Sequence, residues 1–224
     1  MNENPYTILR KIDWTQEEED GNPFAAAMAK FDPRAPEELL SLLLDDDPII
    51  RHRGLFVFGF IGRRAFVVLD AALESVADSD ISARANLMDG VLCLSRQLSP
   101  SQARIILKLA NDPEDLVREK VVAFLGAELQ ETIESAIELL DEPLRSEYRK
   151  GFEKFSAEPS QAQFLLQEGL ANTSVASTFA LASIQRMARA GRLTAVPDYH
   201  GDSYVGQAAI ANTARLIRNA ARMG

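Results

Sequence analysis

The chain has 224 residues, of which 46% are hydrophobic and 25% charged, with a formal net charge of −9. This is the make-up of an ordinary folded, soluble chain, and an acidic balance argues against general nucleic-acid binding, because phosphate contacts need Lys and Arg. A single cysteine, Cys93, excludes an intrachain disulfide framework.

Residues 1–35 open with Tyr6, Ile8, Leu9, Ile12 and Trp14, followed by Glu17-Glu18-Glu19-Asp20-Gly21-Asn22-Pro23. The acids with Gly-Asn-Pro signal a loop, and the apolar residues before them suit an arm that caps the first element. From Pro36 onward the chain reads as successive helices, predicted at 36–44, 48–61, 64–77, 81–97, 100–110, 114–127, 131–140, 143–155, 160–170, 174–190 and 203–222. Apolar residues recur at steps of three and four, as in Leu87, Val91, Leu94 and Leu98. Prolines 48, 100, 113, 143 and 159 each follow a polar residue and can open a helix, because the first turn leaves their missing N–H unneeded. Cys93 lies in the apolar run Val-Leu-Cys-Leu and is expected to be buried. Gly54, Gly59 and Gly62 share one predicted helix and read as sites of close helix packing. The segment 191–201 is the best candidate for a long ordered loop. No apolar run reaches the roughly 18 residues of a membrane span, and no basic start leads into a signal-like core, so a cytoplasmic protein is expected.

One phrase repeats. Ile-Ile-Arg-His-Arg-Gly-Leu at 49–55 returns as Leu-Val-Arg-Glu-Lys-Val-Val at 116–122, with a weaker Ser-Ala-Arg-Ala-Asn-Leu-Met at 82–88. The marker residues Arg51, Arg84 and Arg118 stand 33 and 34 apart. Such a period marks stacked helical arrays. Residues 36–140 resemble HEAT repeats, whose habit is an Asp, often with Pro, then an aliphatic residue and Val-Arg; the best match is Asp112-Pro113-Glu114-Asp115-Leu116-Val117-Arg118. The resemblance implies an all-α fold, an α-solenoid of five to six helical hairpins in a right-handed superhelix. The whole chain would form one such domain, with 1–35 as cap, 36–140 as clear repeats and 141–224 as degenerate ones. It further implies that Asp47, Asp112, Arg51, Arg84 and Arg118 are structural, the Asp capping a helix and the Arg pairing with a neighbouring repeat.

Catalytic constellations are not apparent. No His-Glu-x-x-His or Cys-x-x-Cys pattern, P-loop or Gly-x-Ser-x-Gly elbow is present, and no metal or cofactor is expected. Asp45-Asp46-Asp47 lacks the alternating spacing of a calcium loop and reads as capping. His52, between Arg51 and Arg53, is expected to be an exposed helix residue open to a partner. Tyr199-His200-Gly201-Asp202-Ser203-Tyr204 is a polar, aromatic loop whose residues are too close in sequence to assemble a triad, but which could touch a ligand. Arg186, Arg189 and Arg192, and then Arg215, Arg218 and Arg222, fall on single helix faces and could share one patch for an acidic group or phosphate.

Charge is uneven. Residues 1–150 hold 17 basic and 28 acidic groups, a net of −11, whereas 151–224 hold 7 and 5, a net of +2. The expected function is therefore a non-enzymatic module that binds a protein in a concave groove, a basic partner suiting its charge, as a bacterial immunity or adaptor protein would. Its candidate contacts are Trp14, Glu17, Glu18, Glu19, Asp20, His52, Tyr199, His200, Tyr204 and the five residues Arg186, Arg189, Arg215, Arg218 and Arg222. Two alternatives stand beside it. One is a HEAT-like enzyme or lyase working on a small molecule or nucleic acid near 199–204 and the arginine faces; the other is a purely structural subunit.

Overall fold

The computed structural model describes residues 39–171 and 173–223, together with Thr7. Among them the regular structure is entirely helical. The helices are α1 (Leu40–Leu43), α2 (Pro48–Ile61), α3 (Leu69–Leu73), α4 (Ile81–Cys93), α5 (Pro100–Leu107), α6 (Asp115–Ala127), α7 (Gln130–Glu138), α8 (Leu144–Phe152), α9 (Ala162–Ala171), α10 (Val175–Arg189) and α11 (Tyr204–Met223). Short 3-10 turns flank α3, extend α5 and α8, and lead into α9. Within the described residues no helix is long and apolar enough to cross a membrane.

Side-chain capping sets the starts of α2, α4, α5 and α10. Pro48 opens α2 behind Asp47, whose carboxylate accepts the Ile49 N–H. Ser99 and Gln102 form a reciprocal capping box ahead of α5. The predicted helix over 64–77 is instead broken. Gly62, at φ +60, ends α2, and the buried residues Ala65 and Val68 then recur at a step of three, the spacing that a 3-10 turn places on one side.

The marker residues build one local motif three times. Arg51 Nη1 donates to the Asp45 carbonyl at 2.9 Å, Arg84 Nη1 to the Asp78 carbonyl at 2.7 Å, and Arg118 Nη1 to the Asp112 carbonyl at 2.6 Å. In each copy the Asp six residues before the Arg also takes the N–H two residues further on, at 2.9–3.0 Å. The arginine thus satisfies a carbonyl that the turn before the helix would leave unpaired. Each arginine closes its own turn, and Arg51 also reaches the following copy, 3.7 Å from Asp78. Asp112 corresponds to Asp45 and Asp78, not to the capping Asp47; in the third copy the N-cap position is Glu114, whose side chain makes no capping bond.

The chain divides into two compact units between Cys93 and Leu94. In the first, α2 packs on α4. Contact is close because Gly90 faces Phe58, where an added Cβ would lie 2.1 Å from ring carbons. Gly59 serves the same packing against Asp89 and Gly90, Gly54 admits α1 at Leu42 and Leu43, and Gly62 is a helix stop. Cys93, expected inside, is exposed; it falls on the last turn of α4, opposite the buried Met88 and Val91 row.

In the second unit α10 is the centre, packed by α6, α8, α9 and α11. Twelve of its 15 residues are buried, so it lacks the polar face of a surface helix. Its hydroxyls are satisfied internally: Thr178 Oγ1 donates to the Ala110 carbonyl at 2.6 Å, and Ser183 Oγ to the Phe179 carbonyl at 2.7 Å. Phe155 is buried against Phe179, while Phe152 is half-buried. Asn212 of α11 donates to Glu119 of α6 at 2.9 Å.

Candidate functional site

The C-terminal end of α10 meets the C-terminal end of α6, and the two ends line an open, arginine-rich pocket of about 290 Å³ in which Arg96, Arg189 and Arg192 are solvent-exposed. A helix end leaves carbonyls without intrahelical partners and carries partial negative charge. Arg186 supplies what is missing: its Nη1 donates to the Leu125 carbonyl at 3.0 Å and the Glu128 carbonyl at 2.7 Å. Its guanidinium also stacks 4.5 Å over the Phe155 ring. The approach of the two helices depends on Gly126, where a Cβ would stand 3.0 Å from Gln185 Cβ.

Two more arginines arrive from α10. Arg189, one helical turn beyond Arg186, lines the same pocket. The helix then stops in a Schellman turn, in which Gly191 N–H donates to Ala188 and Arg192 N–H to Met187. Gly191 at φ +69 makes that reversal possible, and it turns Arg192 back into the lining, 3.1 Å from Glu158.

The fourth arginine is Arg96, which the sequence patterns did not single out. It stands just beyond α4 at φ 71, the left-handed region that a residue with a Cβ adopts at a cost. Glu128 holds it there. That carboxylate is 2% exposed and accepts the backbone N–H groups of Arg96 and Leu129, both at 2.8 Å. Arg96 Nε in turn donates to the Ala127 carbonyl at 3.2 Å.

Crowding of like charge marks the electrostatics. Burial lowers the pKa of Arg186; the Glu131 charge opposes this, and Arg96 and Arg189 reinforce it. Loss of water around the guanidinium lowers Arg189 as well, with Arg96 and then Arg215 adding repulsion. Among the described residues Arg189 makes no hydrogen bond or ion pair.

Other expected contacts fall elsewhere. Arg215 neighbours Arg189 electrostatically and donates to Asn212 Oδ1 at 3.1 Å. Arg218 and Arg222 are exposed further along α11 and do not line the pocket. Tyr199 is occupied structurally: its hydroxyl accepts the Ser203 N–H at 2.9 Å, and its ring lies against Gly201 and Gly206. The 191–203 loop is pinned by Gln163, whose amide exchanges two hydrogen bonds with the Asp198 backbone at 2.9 and 3.0 Å. His200 and Tyr204 are exposed and outside the pocket. His52 Nδ1 lies 4.0 Å from Asp80 Oδ2. Trp14, Glu17, Glu18, Glu19 and Asp20 lie outside the described residues.

Comparison of the chain with models of known families, with curated proteins and with solved structures gave no match.

Proposed function

We propose that the chain is a non-enzymatic protein-binding module, an α-solenoid built on HEAT-like helical hairpins, whose acidic N-terminal unit docks a basic partner. The observation that supports this best is the thrice-repeated turn. Each copy fixes its arginine and one aspartate on the backbone, so the most regular polar residues hold shape and perform no chemistry. The turns leave carboxylates at the surface: Asp46, Asp47 and Asp80 are exposed. Residues 1–93 carry 9 basic and 17 acidic groups, a net of −8. A surface of that sign attracts cationic partners, and the attraction weakens as salt rises.

The reading is tested by affinity capture from native extract followed by mass spectrometry. Wild type is compared with a variant carrying Glu17→Gln, Glu18→Gln, Glu19→Gln, Asp20→Asn, Asp46→Asn and Glu74→Gln, residues chosen to leave the helix-capping aspartates intact. A basic protein should be held by the wild type, lost by the variant and released by salt. Partners that are neutral or acidic, or that the variant holds equally well at high salt, would sink the proposal.

A further inference from the structure

The pocket at the ends of α6 and α10 has more positive charge than its own acids balance. Arg96, Arg186, Arg189 and Arg192 line it beside one acid, Glu128. The Glu128 carboxylate is engaged by two backbone N–H groups, and Arg192 pairs with Glu158 from outside the lining. Glu131 also acts on Arg186 and Arg215 on Arg189, so five arginines stand against three carboxylates, a local charge of +2. Arg186 is occupied by helix-end carbonyls and Arg96 by Ala127. Arg189 has its donors free among the described residues, and the charges that act on it are those of other arginines. Crowded like charges are unfavourable without a counter-ion, and the guanidinium fork matches the oxygens of a phosphoryl group. A dianion cancels the local charge, whereas a carboxylate leaves half of it. Phe155 and Met187 add an apolar wall for a short organic stem. At about 290 Å³ the space is at the small end of ligand pockets, which run from roughly 300 to 1,000 Å³.

We propose that this pocket binds the phosphoryl group of a small, soluble phosphate ester. Arg189 is the principal donor and Arg192 the second, on a floor held rigid by Arg186 and by the strained Arg96. The site is independent of the acidic docking surface, so either assignment can fail without the other.

The test is calorimetric titration of the full chain with inorganic phosphate, phenyl phosphate and benzoate at matched ionic strength. Wild type, Arg189→Gln and Arg218→Gln are compared, the last being an exposed arginine outside the pocket. Saturable binding of both phosphates is expected, with phenyl phosphate the tighter and benzoate about tenfold weaker or worse. Arg189→Gln should bind phenyl phosphate at least about tenfold more weakly, the loss of one charge-assisted hydrogen bond, while Arg218→Gln stays at the wild-type value. Without ligand, Arg189→Gln should melt no lower than wild type, since it loses no native bond. Affinity should also fall below a pH of about 6, as the dianion takes up a proton. Absence of saturable binding overturns the proposal, as does an Arg189→Gln affinity equal to wild type or an equal loss in Arg218→Gln. A phosphopeptide or anionic vesicle that binds while phenyl phosphate does not would overturn the assignment to a small ester.

Discussion

Replacing Arg118 by Met keeps the hydrocarbon stem and removes the guanidinium, so it isolates the bond that closes the third repeated turn. Arg118 is 8% exposed and Asp112, whose carbonyl it meets at 2.6 Å, is 6% exposed. Water therefore reaches the orphaned carbonyl less readily than at an exposed turn. A hydrogen bond from a charged group is worth about 1.5–3 kcal/mol, and the pair with the half-exposed Asp115 adds no more than about 0.5 kcal/mol after screening. The expected loss is about 2–3.5 kcal/mol, or roughly 6–10 °C in Tm for a chain of this size. Arg51→Met makes the matched comparison. The Arg51 side chain is 29% exposed and donates to two carbonyls at 2.9 Å, where water can substitute, so its loss should stay under about 1.5 kcal/mol. Urea denaturation followed by circular dichroism measures both, provided the slopes agree with wild type. If Arg118→Met costs no more than Arg51→Met, the closing bond is not what stabilises the turn.

Gly90→Ala should destabilise the N-terminal unit by about 2–3 kcal/mol, because the new methyl overlaps the Phe58 ring; Phe58→Leu in the same chain should recover part of that, and a Gly90→Ala protein as stable as wild type would show that α2 and α4 pack less closely than described. Tyr148 is buried and donates to the Leu107 carbonyl. Burial raises its pKa above the ordinary 10.0, and the Glu147 charge adds to the effect. The folded state then keeps a proton that the unfolded chain releases, so this contribution is whole below about pH 10 and declines above it by about 1.4 kcal/mol per pH unit. Denaturation midpoints measured from pH 9 to 11 should fall in wild type and fall less in Tyr148→Phe; parallel curves would refute the linkage.

Local signals in the sequence were readable where one residue decides the outcome. Pro48 behind Asp47 and Pro100 behind Ser99 open their helices where the pattern placed them. The all-helical class followed from apolar steps of three and four. Reading failed where the outcome depends on distant partners. Arg96 belongs to the pocket only because the buried Glu128, 32 residues away, holds it in a left-handed turn, and nothing in its neighbourhood announces that. Arg186, Arg189 and Arg192 were visible as a group, but Arg186 proved to be bound to the end of another helix some 60 residues back. Arg218 and Arg222 shared the same periodicity and remained at the surface, since spacing fixes a face of a helix and not what that face meets. Cys93 sat in an apolar run yet turned outward at the last turn of α4.

The central claim is a division among the arginines: those that repeat hold the turns, and one that does not is free to bind. Side-chain Nε–Hε resonances of arginine, followed by two-dimensional NMR during a phosphate titration, test it most directly. The Arg189 signal should move saturably, with smaller shifts at Arg96 and Arg192, while those of Arg51, Arg84 and Arg118 stay in place. Equal movement of the repeating arginines, or a stationary Arg189, would contradict the account.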